Sequence, residues 1–297
     1  MNSFLIAWRV ARWLPRSWVR AVAWALVAYA WATRGKPARR LEENYAKVTG
    51  LTGKPLRRLS RRGLASVARY YAETFEMSRL TPRQLDARVR MDNPEALDGV
   101  LAEDHGTVAV LGHLGNWDLV GAYACRHIIP VTAVAEVLEP RAVFDEFVAL
   151  RAKWGMRILG HEGGATFREL IRISKAERTL VCLLSDRDLS GSGIAVTMWG
   201  HEVKVAPGPA ALAQAVKTVI LPVMIRYERL RGRQRLRARS RWGVVLHFGD
   251  VVRPEDFTGE SRLADMTQAW ASQMADFISA YPEDWHMMQR FGWVVSQ

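Results

Sequence analysis

Residues 107–122 read TVAVLGHLGNWDLVGA, and this stretch decides the fold. Thr107 to Leu111 is a short run of β-favouring, largely apolar residues, the pattern of a strand buried on both faces of a sheet. Gly112 ends it, His113 follows at its carboxyl end, and Asn116 is placed to cap a helix whose first turn holds Asp118. The same alternation continues downstream. Strands are predicted at 131–135, 157–159, 179–185, 195–199, 219–227 and 242–248, and helices at 116–127, 141–154, 164–176 and 209–216. Strand and helix in turn make this an α/β chain: a mostly parallel central sheet of about seven strands, flanked by helices on both faces. A helix predicted at 261–280 closes the core. The carboxyl ends of such strands are where α/β sheets bind ligands, which puts His113 in a functional position.

Upstream of the sheet, residues 39–80 read as helical. Gly50 stops one segment, and Pro55 opens another whose apolar positions recur every three or four residues beside a basic stripe of Arg57, Arg58, Arg61 and Arg62. Residues 81–106 read as a bridge without a strand. The chain has 297 residues, 49% of them apolar and 24% charged, which excludes disorder and collagen-like repeats. No linker rich in Ser, Pro or Gly divides it and no repeat of 20 to 50 residues occurs. Residues 1–297 therefore read as a single domain, with 1–35 as an amphipathic helical segment and 105–250 as the α/β core.

The amino terminus carries five of the twelve tryptophans, Trp8, Trp13, Trp18, Trp24 and Trp31, beside Arg9, Arg12, Arg16 and Arg20. At helical period those arginines share roughly one face. The longest uncharged run, residues 21–33, has 13 residues, against the roughly 20 that a spanning helix needs. Such a segment is expected to lie in a membrane interface. A signal peptide ending at Ala30-Trp31-Ala32 and a helix packed on its own protein are the competing readings, and the tryptophans are unlike an apolar leader core. The net charge of +12 draws the surface to polyanions: anionic lipid, nucleic acid or a phosphorylated co-substrate.

Several chemistries are disfavoured. Cys125 and Cys182 stand far apart in apolar surroundings, with no CxxC spacing and no disulfide framework. No second metal ligand stands at zinc spacing around His113, so no metal is expected. No GxSxG occurs, and Ser192 lies in a glycine turn. Acid–base chemistry at His113 is favoured instead. If the chain turns at Gly115, Asp118 can accept a hydrogen bond from one imidazole nitrogen and leave the other to take a proton from a substrate hydroxyl. Backbone N–H groups near Gly115 and Asn116 are the expected donors to an oxyanion. The competing readings are a hydrogen-bonded structural histidine and an Asp118 that complements the helix dipole.

The block GHLGNWD, residues 112–118, resembles the HX4D motif of the bacterial acyltransferases related to the lipid A late acyltransferases. Within that superfamily the chain most resembles the phosphatidylinositol mannoside acyltransferases of mycobacteria. LLSDRDLSGSGIAVTMWG, KVAPGPAALA and PEDWHMMQRFGW extend the likeness over most of the chain. The resemblance implies a glycerolphosphate acyltransferase-like fold, with His113 as general base, Asp118 as its motif partner and Asp186 as the acid that positions the histidine. Glu136, Arg151, Arg187, Asn116 and Gly115 would line the substrate groove. Asp186 stands where many close relatives carry Glu, and Met198-Trp199 replaces an aromatic pair. Implied too are acyl-coenzyme A as co-substrate with no further cofactor, a phosphatidylinositol mannoside as acceptor, and a peripheral place on the cytoplasmic face of the plasma membrane. A lipid A precursor or glycerol phosphate is the alternative acceptor.

Residues 229–241, RLRGRQRLRARSR, carry arginine at every odd position. Period two predicts an extended ladder, with Gly232 as a hairpin turn and Leu230, Leu236 and Ala238 opposite the charges. It would meet lipid headgroups or coenzyme A phosphates, or be a solvated hairpin whose charges deter edge pairing. A nucleic-acid module would also account for these charges, but no nucleic-acid motif accompanies them. A membrane-surface scaffold without activity is the third class. Residues 282–286, PEDWH, read as an ordinary proline-started helix opening with a structural role.

Overall fold

The computed structural model describes residues 15–188 and 191–294. Trp8, Trp13, Arg9 and Arg12 lie outside the described residues. Three helices open the described chain: α1 (Arg16–Thr33), α2 (Lys36–Thr49) and α3 (Gly53–Met77). Helix α2 ends at Gly50, whose φ of 66° suits a residue without Cβ. Helix α3 buries Leu56, Leu59, Gly63, Val67 and Tyr70 at three- and four-residue spacing and turns Arg57, Arg58, Arg61 and Arg62 outward. Gly63 lets α2 cross it closely, because a Cβ there would stand 2.2 Å from Tyr45 Oη. A short helix, α4 (Pro82–Asp86), starts from a capping box of Thr81 and Gln84.

The remaining elements follow as β1 (Val89–Asp92), α5 (Asp98–Leu101), β2 (Thr107–Leu111), α6 (Trp117–His127), β3 (Val131–Ala135), α7 (Arg141–Ala152), β4 (Arg157–Gly160) and α8 (Gly164–Ala176). After them come β5 (Leu180–Leu184), β6 (Ile194–Met198), β7 (His201–Val205), α9 (Gly208–Val216), β8 (Ile220–Arg229), α10 (Gly232–Ala238), β9 (Trp242–Phe248) and α11 (Arg262–Ala280). Seven strands form the central sheet in the order β1-β9-β8-β2-β5-β3-β4. Every pairing is parallel except β8 with β9. This is the α/β architecture expected, and β2 occupies its middle with all five residues buried. Each buried Val or Leu of such a strand contributes about 1.5–3 kcal/mol of transfer free energy.

Three local expectations are corrected. The strand predicted at 195–199 leaves the central sheet and pairs with β7 as a separate antiparallel hairpin, in register Met198↔His201. Its two-residue turn, Trp199-Gly200, has positive φ at both positions, the geometry that matches strand twist. The seventh place in the sheet belongs to β1, within the stretch read as a strandless bridge; four residues around an arginine gave no pattern. The arginine ladder is not extended. Gly232, at φ 50°, breaks the chain after β8, and residues 232–238 form α10 because Arg, Gln, Leu and Ala are all good helix formers.

After α11 the chain turns at Pro282–Asp284 and returns beneath the hairpin. Trp285 is fully buried, its ring centroid 5.0 Å from Phe291 and 5.5 Å from Trp199, with Trp293 4.8 Å from Phe291. This aromatic cluster fixes the returning segment against the ends of β2 and β5.

Candidate active site

Strands β2 and β5 run parallel with Leu111 opposite Leu184. Two residues beyond that pair, the chains deliver His113 and Asp186 side by side. His113 Nδ1 lies 2.6 Å from Asp186 Oδ1, and the His113 backbone N–H donates to Oδ2 at 2.9 Å. Trp285 Nε1–H donates to the same Oδ2 at 3.0 Å. A carboxylate only accepts, so Nδ1 carries a proton, and in the neutral ring the lone pair is on Nε2. Burial alone would raise the Asp186 carboxyl; His113 and the N–H donors hold it below the ordinary range. Gly112 leaves room for this approach, since a Cβ there would come within 3.3 Å of Asp186 Oδ2.

The expected contact between His113 and Asp118 is corrected. Asp118 opens α6 and is 2% exposed, but its oxygens are taken by Arg151 of α7 (Nε to Oδ1, 2.7 Å) and by the Tyr70 hydroxyl of α3 (3.0 Å to Oδ2). Desolvation lowers the Arg151 pKa, but Asp118 outweighs it and the guanidinium stays charged. The HX4D carboxylate is thus a clasp that ties α3, α6 and α7 around the histidine. Four residues separate His113 from Asp118, and the intervening turn points the carboxylate away from the imidazole.

That turn is made by Gly115, at φ 53°, where a Cβ would stand 2.9 Å from the Ile225 carbonyl oxygen. Its N–H donates to Asp284 O at 2.9 Å, so the expectation that it would serve an oxyanion is corrected. Asn116 caps α6 as expected, accepting from Leu119 N–H at 3.0 Å and donating from Nδ2 to Glu73 Oε2 at 2.9 Å. With 0% exposure, the Asn116 side chain positions the helix and has no open face toward a ligand. Burial raises the Glu73 carboxyl against the opposing effect of Arg88 and Asn116.

His113, 27% exposed, opens onto a cavity of about 660 Å³. The cavity runs along one face of the sheet: Phe248 and Leu246 of β9, Val223 of β8, Leu111 of β2, Leu180, Cys182 and Leu184 of β5, Val131 and Ala133 of β3, and Ile158 of β4 all line it. Alternate residues face one way in a strand, so six strands present a continuous apolar floor. Helices α3, α6 and α7 roof it. Glu136 and Arg187 line the mouth and approach each other to 3.8 Å. Burial pushes the Cys182 thiol up to about 12, which keeps it protonated and a poor nucleophile. Among the described residues no cluster suited to a metal ion occurs.

His286, read from the sequence as a second acid–base candidate and assigned a structural role, lines the cavity beside His113. Its backbone N–H donates to His113 O at 2.7 Å, and its ring lines the same cavity, 6.2 Å from Trp117. Ser66 Oγ–H donates to Asp284 Oδ1 at 2.7 Å and so accepts from His286 Nε2–H at 2.9 Å. Burial, with Arg69 and His113 adding to it, pushes the His286 imidazole down to about 3, so the ring is neutral. Burial pushes Asp284 up to about 6 against its hydrogen bonds to Ser66 and Tyr227 N–H. The proline-started turn at Pro282–Asp284, expected from the sequence, is what brings His286 inward.

The model of the family described as bacterial lipid A biosynthesis acyltransferase matches residues 3–291. The chain belongs to that family. Two relatives carry the name phosphatidylinositol mannoside acyltransferase. The one from Mycolicibacterium smegmatis is 31% identical over 288 residues, covering 96% of this chain and 89% of that protein. The one from Mycobacterium tuberculosis is 31% identical over 295 residues, covering 97% and 86%. Among solved structures, the 1-acyl-sn-glycerophosphate acyltransferase of Thermotoga maritima aligns over 89% of this chain and 97% of its own, with a TM-score of 0.40 and 15% identity. As a member of the lipid A biosynthesis acyltransferase family, the chain performs acyl transfer.

Proposed function

We propose that this acyltransferase moves a long acyl chain from acyl-coenzyme A to a mannose hydroxyl of a phosphatidylinositol mannoside, at the cytoplasmic face of the plasma membrane. One observation carries the reading: an imidazole whose Nδ1–H is committed to a buried carboxylate opens onto a long apolar cavity. His113 Nε2 takes the proton of the acceptor hydroxyl as its oxygen attacks the thioester carbonyl carbon. The tetrahedral intermediate collapses, the C–S bond breaks, and the same proton passes from Nε2 to the departing sulfur. Asp186 holds the ring in one tautomer and stabilises the imidazolium between the two transfers. No acyl-enzyme forms, in keeping with a Cys182 thiol that stays protonated.

The cavity is of the size that holds a drug-sized ligand, and its apolar floor suits an acyl chain. Arg187 and Glu136 at the mouth are placed to meet polar parts of either substrate, while Arg151 acts through Asp118. Gly115 and Asn116 shape the turn that carries His113. No described helix is long and apolar enough to cross a membrane, and α1 exposes Trp18, Trp24, Leu26 and Tyr29, which supports a peripheral attachment. The test is thiol release from palmitoyl-coenzyme A with and without phosphatidylinositol mannoside, with the acylated lipid identified by mass. His113→Ala should lower release by 10²–10⁴-fold, on the order expected for loss of a general base. Equal release by both proteins, or no acylated lipid from the wild type, overturns the reading.

A further inference from the structure

Helix α10 and its flanks hold six arginines, at 231, 233, 235, 237, 239 and 241, and all six are exposed. None makes an ion pair with a carboxylate among the described residues. Six uncompensated cations equal half of the chain's net charge of +12, gathered on one short element. Folding gains nothing from that arrangement, because Arg233 and Arg237 at i,i+4 repel. In the middle of the helix Leu236 is 76% exposed, between Arg235 and Arg237, while Ala238 is the buried contact. An apolar tip ringed by cations matches the interface of an anionic bilayer. A nucleic-acid backbone gives the exposed leucine no partner.

The placement of α10 strengthens the match. Arg88 Nε–H donates to the Ala238 carbonyl at 3.1 Å, and Arg88 Nη2 reaches Glu76 Oε2 at 3.4 Å. The same Glu76 carboxylate takes Arg20 of α1, at 2.7 Å from Nε and 3.0 Å from Nη2. One buried carboxylate thus ties the arginine-rich helix to the helix that exposes Trp18 (64%), Trp24 (54%), Leu26 (63%) and Tyr29 (69%). Five residues before Glu76 on α3, about 7.5 Å of helical rise, Tyr71 is 44% exposed and lines the cavity. Helix α3 thus carries both the tie between the two surface elements and part of the cavity wall.

We propose that α10 and its flanking arginines are a contact for anionic phospholipid headgroups, which with α1 seats the protein on the bilayer. The inference rests on the reading of the acceptor as a membrane lipid. Arginines supply the affinity for anionic headgroups, and α1 and Leu236 supply the apolar share.

The experiment is co-sedimentation of the full chain with vesicles of phosphatidylcholine alone and with 30% phosphatidylinositol (about a third of the lipid, enough to give a negative surface), at low and high salt. The triple variant Arg233→Gln/Arg235→Gln/Arg237→Gln should lose on the order of 100-fold in affinity for the anionic vesicles at low salt, about fivefold per arginine. Its binding to phosphatidylcholine alone should stay within twofold, and salt should erase most of the difference. Leu236→Ser should weaken both vesicle types. All these side chains are exposed, and equal melting temperatures check that the variants fold. Unchanged binding of the triple variant to anionic vesicles overturns the proposal, as does an equal loss on neutral ones. Tighter binding of wild type to a short DNA duplex than to anionic vesicles, lost in the triple variant, overturns it in favour of nucleic acid. Vesicle binding does not need His113, so His113→Ala should bind as wild type does. A failure of the thiol-release test therefore leaves this result standing, and the reverse.

Discussion

His113 and Asp186 meet 2.6 Å apart because they stand at equivalent positions just beyond two parallel neighbours, β2 and β5. The contact is a consequence of register. Leu111 lies opposite Leu184, so the second residue after each comes off the sheet at the same height, one as imidazole and one as carboxylate. Trp285 closes the arrangement from a segment nearly a hundred residues downstream by donating to the carboxylate oxygen that the His113 backbone also uses.

Replacing Asp186 by Asn removes the negative charge and offers Nδ1 an amide in place of a pure acceptor. The ring can then take the other tautomer, with its proton on Nε2. Thiol release should fall about 10²–10⁴-fold, with little change in KM for palmitoyl-coenzyme A, since Asp186 is fully buried behind the histidine. Steady-state kinetics on folded protein, checked by circular dichroism, decides it. A rate within threefold of wild type would remove Asp186 from the mechanism.

The Asp118–Arg151 pair predicts a different signature. Asp118→Asn leaves the Arg151 guanidinium, whose side chain is 14% exposed, facing a neutral amide and Tyr70. Breaking a buried pair from one side costs about 3 kcal/mol, and the double variant Asp118→Asn/Arg151→Met should recover at least half of that. Denaturant unfolding of both variants tests the coupling. If Asp118→Asn instead abolishes turnover at unchanged stability, the carboxylate touches substrate and the clasp is a minor role.

How far the sequence could be read follows from these contacts. The strands of β2, β3, β4, β5, β8 and β9 were legible because each is a short apolar run between turn signals, and α6 was legible through Asn116. Pairing was not. Nothing local says that β5 is the neighbour of β2, so Asp186 came from family resemblance, and spacing suggested Asp118 instead. The arginines at 229–241 misled for a related reason. Their period of two competes with the helix propensity of the residues between them, and the break at Gly232 settled the contest in favour of helix. For His286 the sequence offered a candidate but no place for it, because its position depends on the aromatic packing of Trp285 and Phe291.

The cavity floor gives a prediction about chain length. Ala133 of β3 lines it beside Cys182, with which it is in register. Ala133→Phe should shorten the cavity and expel the distal methylenes of a palmitoyl chain. Each methylene left unburied costs about 0.8 kcal/mol, so four of them lower kcat/KM by on the order of 200-fold. Octanoyl-coenzyme A should be affected less than fivefold, roughly the effect of one methylene. Thiol release measured with both donors checks the ratio, and an equal loss on the two would mean that the chain binds elsewhere.

Asp284 sets a pH-dependent stability whose sign is fixed by its raised pKa. Its carboxyl is pushed up to about 6 in the folded chain from an ordinary 3.8, so the native state holds the proton more tightly than the unfolded state does. Its contribution is fully present below the unfolded value and is lost as pH rises through 6. His286, pushed down to about 3 from 6.5, acts oppositely: its contribution is present above 6.5 and is lost as pH falls. Between pH 4 and 6 the two slopes offset each other, at about 1.4 kcal/mol per unit each. Asp284→Asn removes one of them. Relative to wild type, the variant should therefore gain about 2 kcal/mol between pH 4 and pH 6, whatever constant loss it suffers from its altered bonds to Ser66 and Tyr227. Urea unfolding of both proteins at several pH values measures the difference. A stability gap that does not change with pH would show that Asp284 titrates as an ordinary surface carboxylate does.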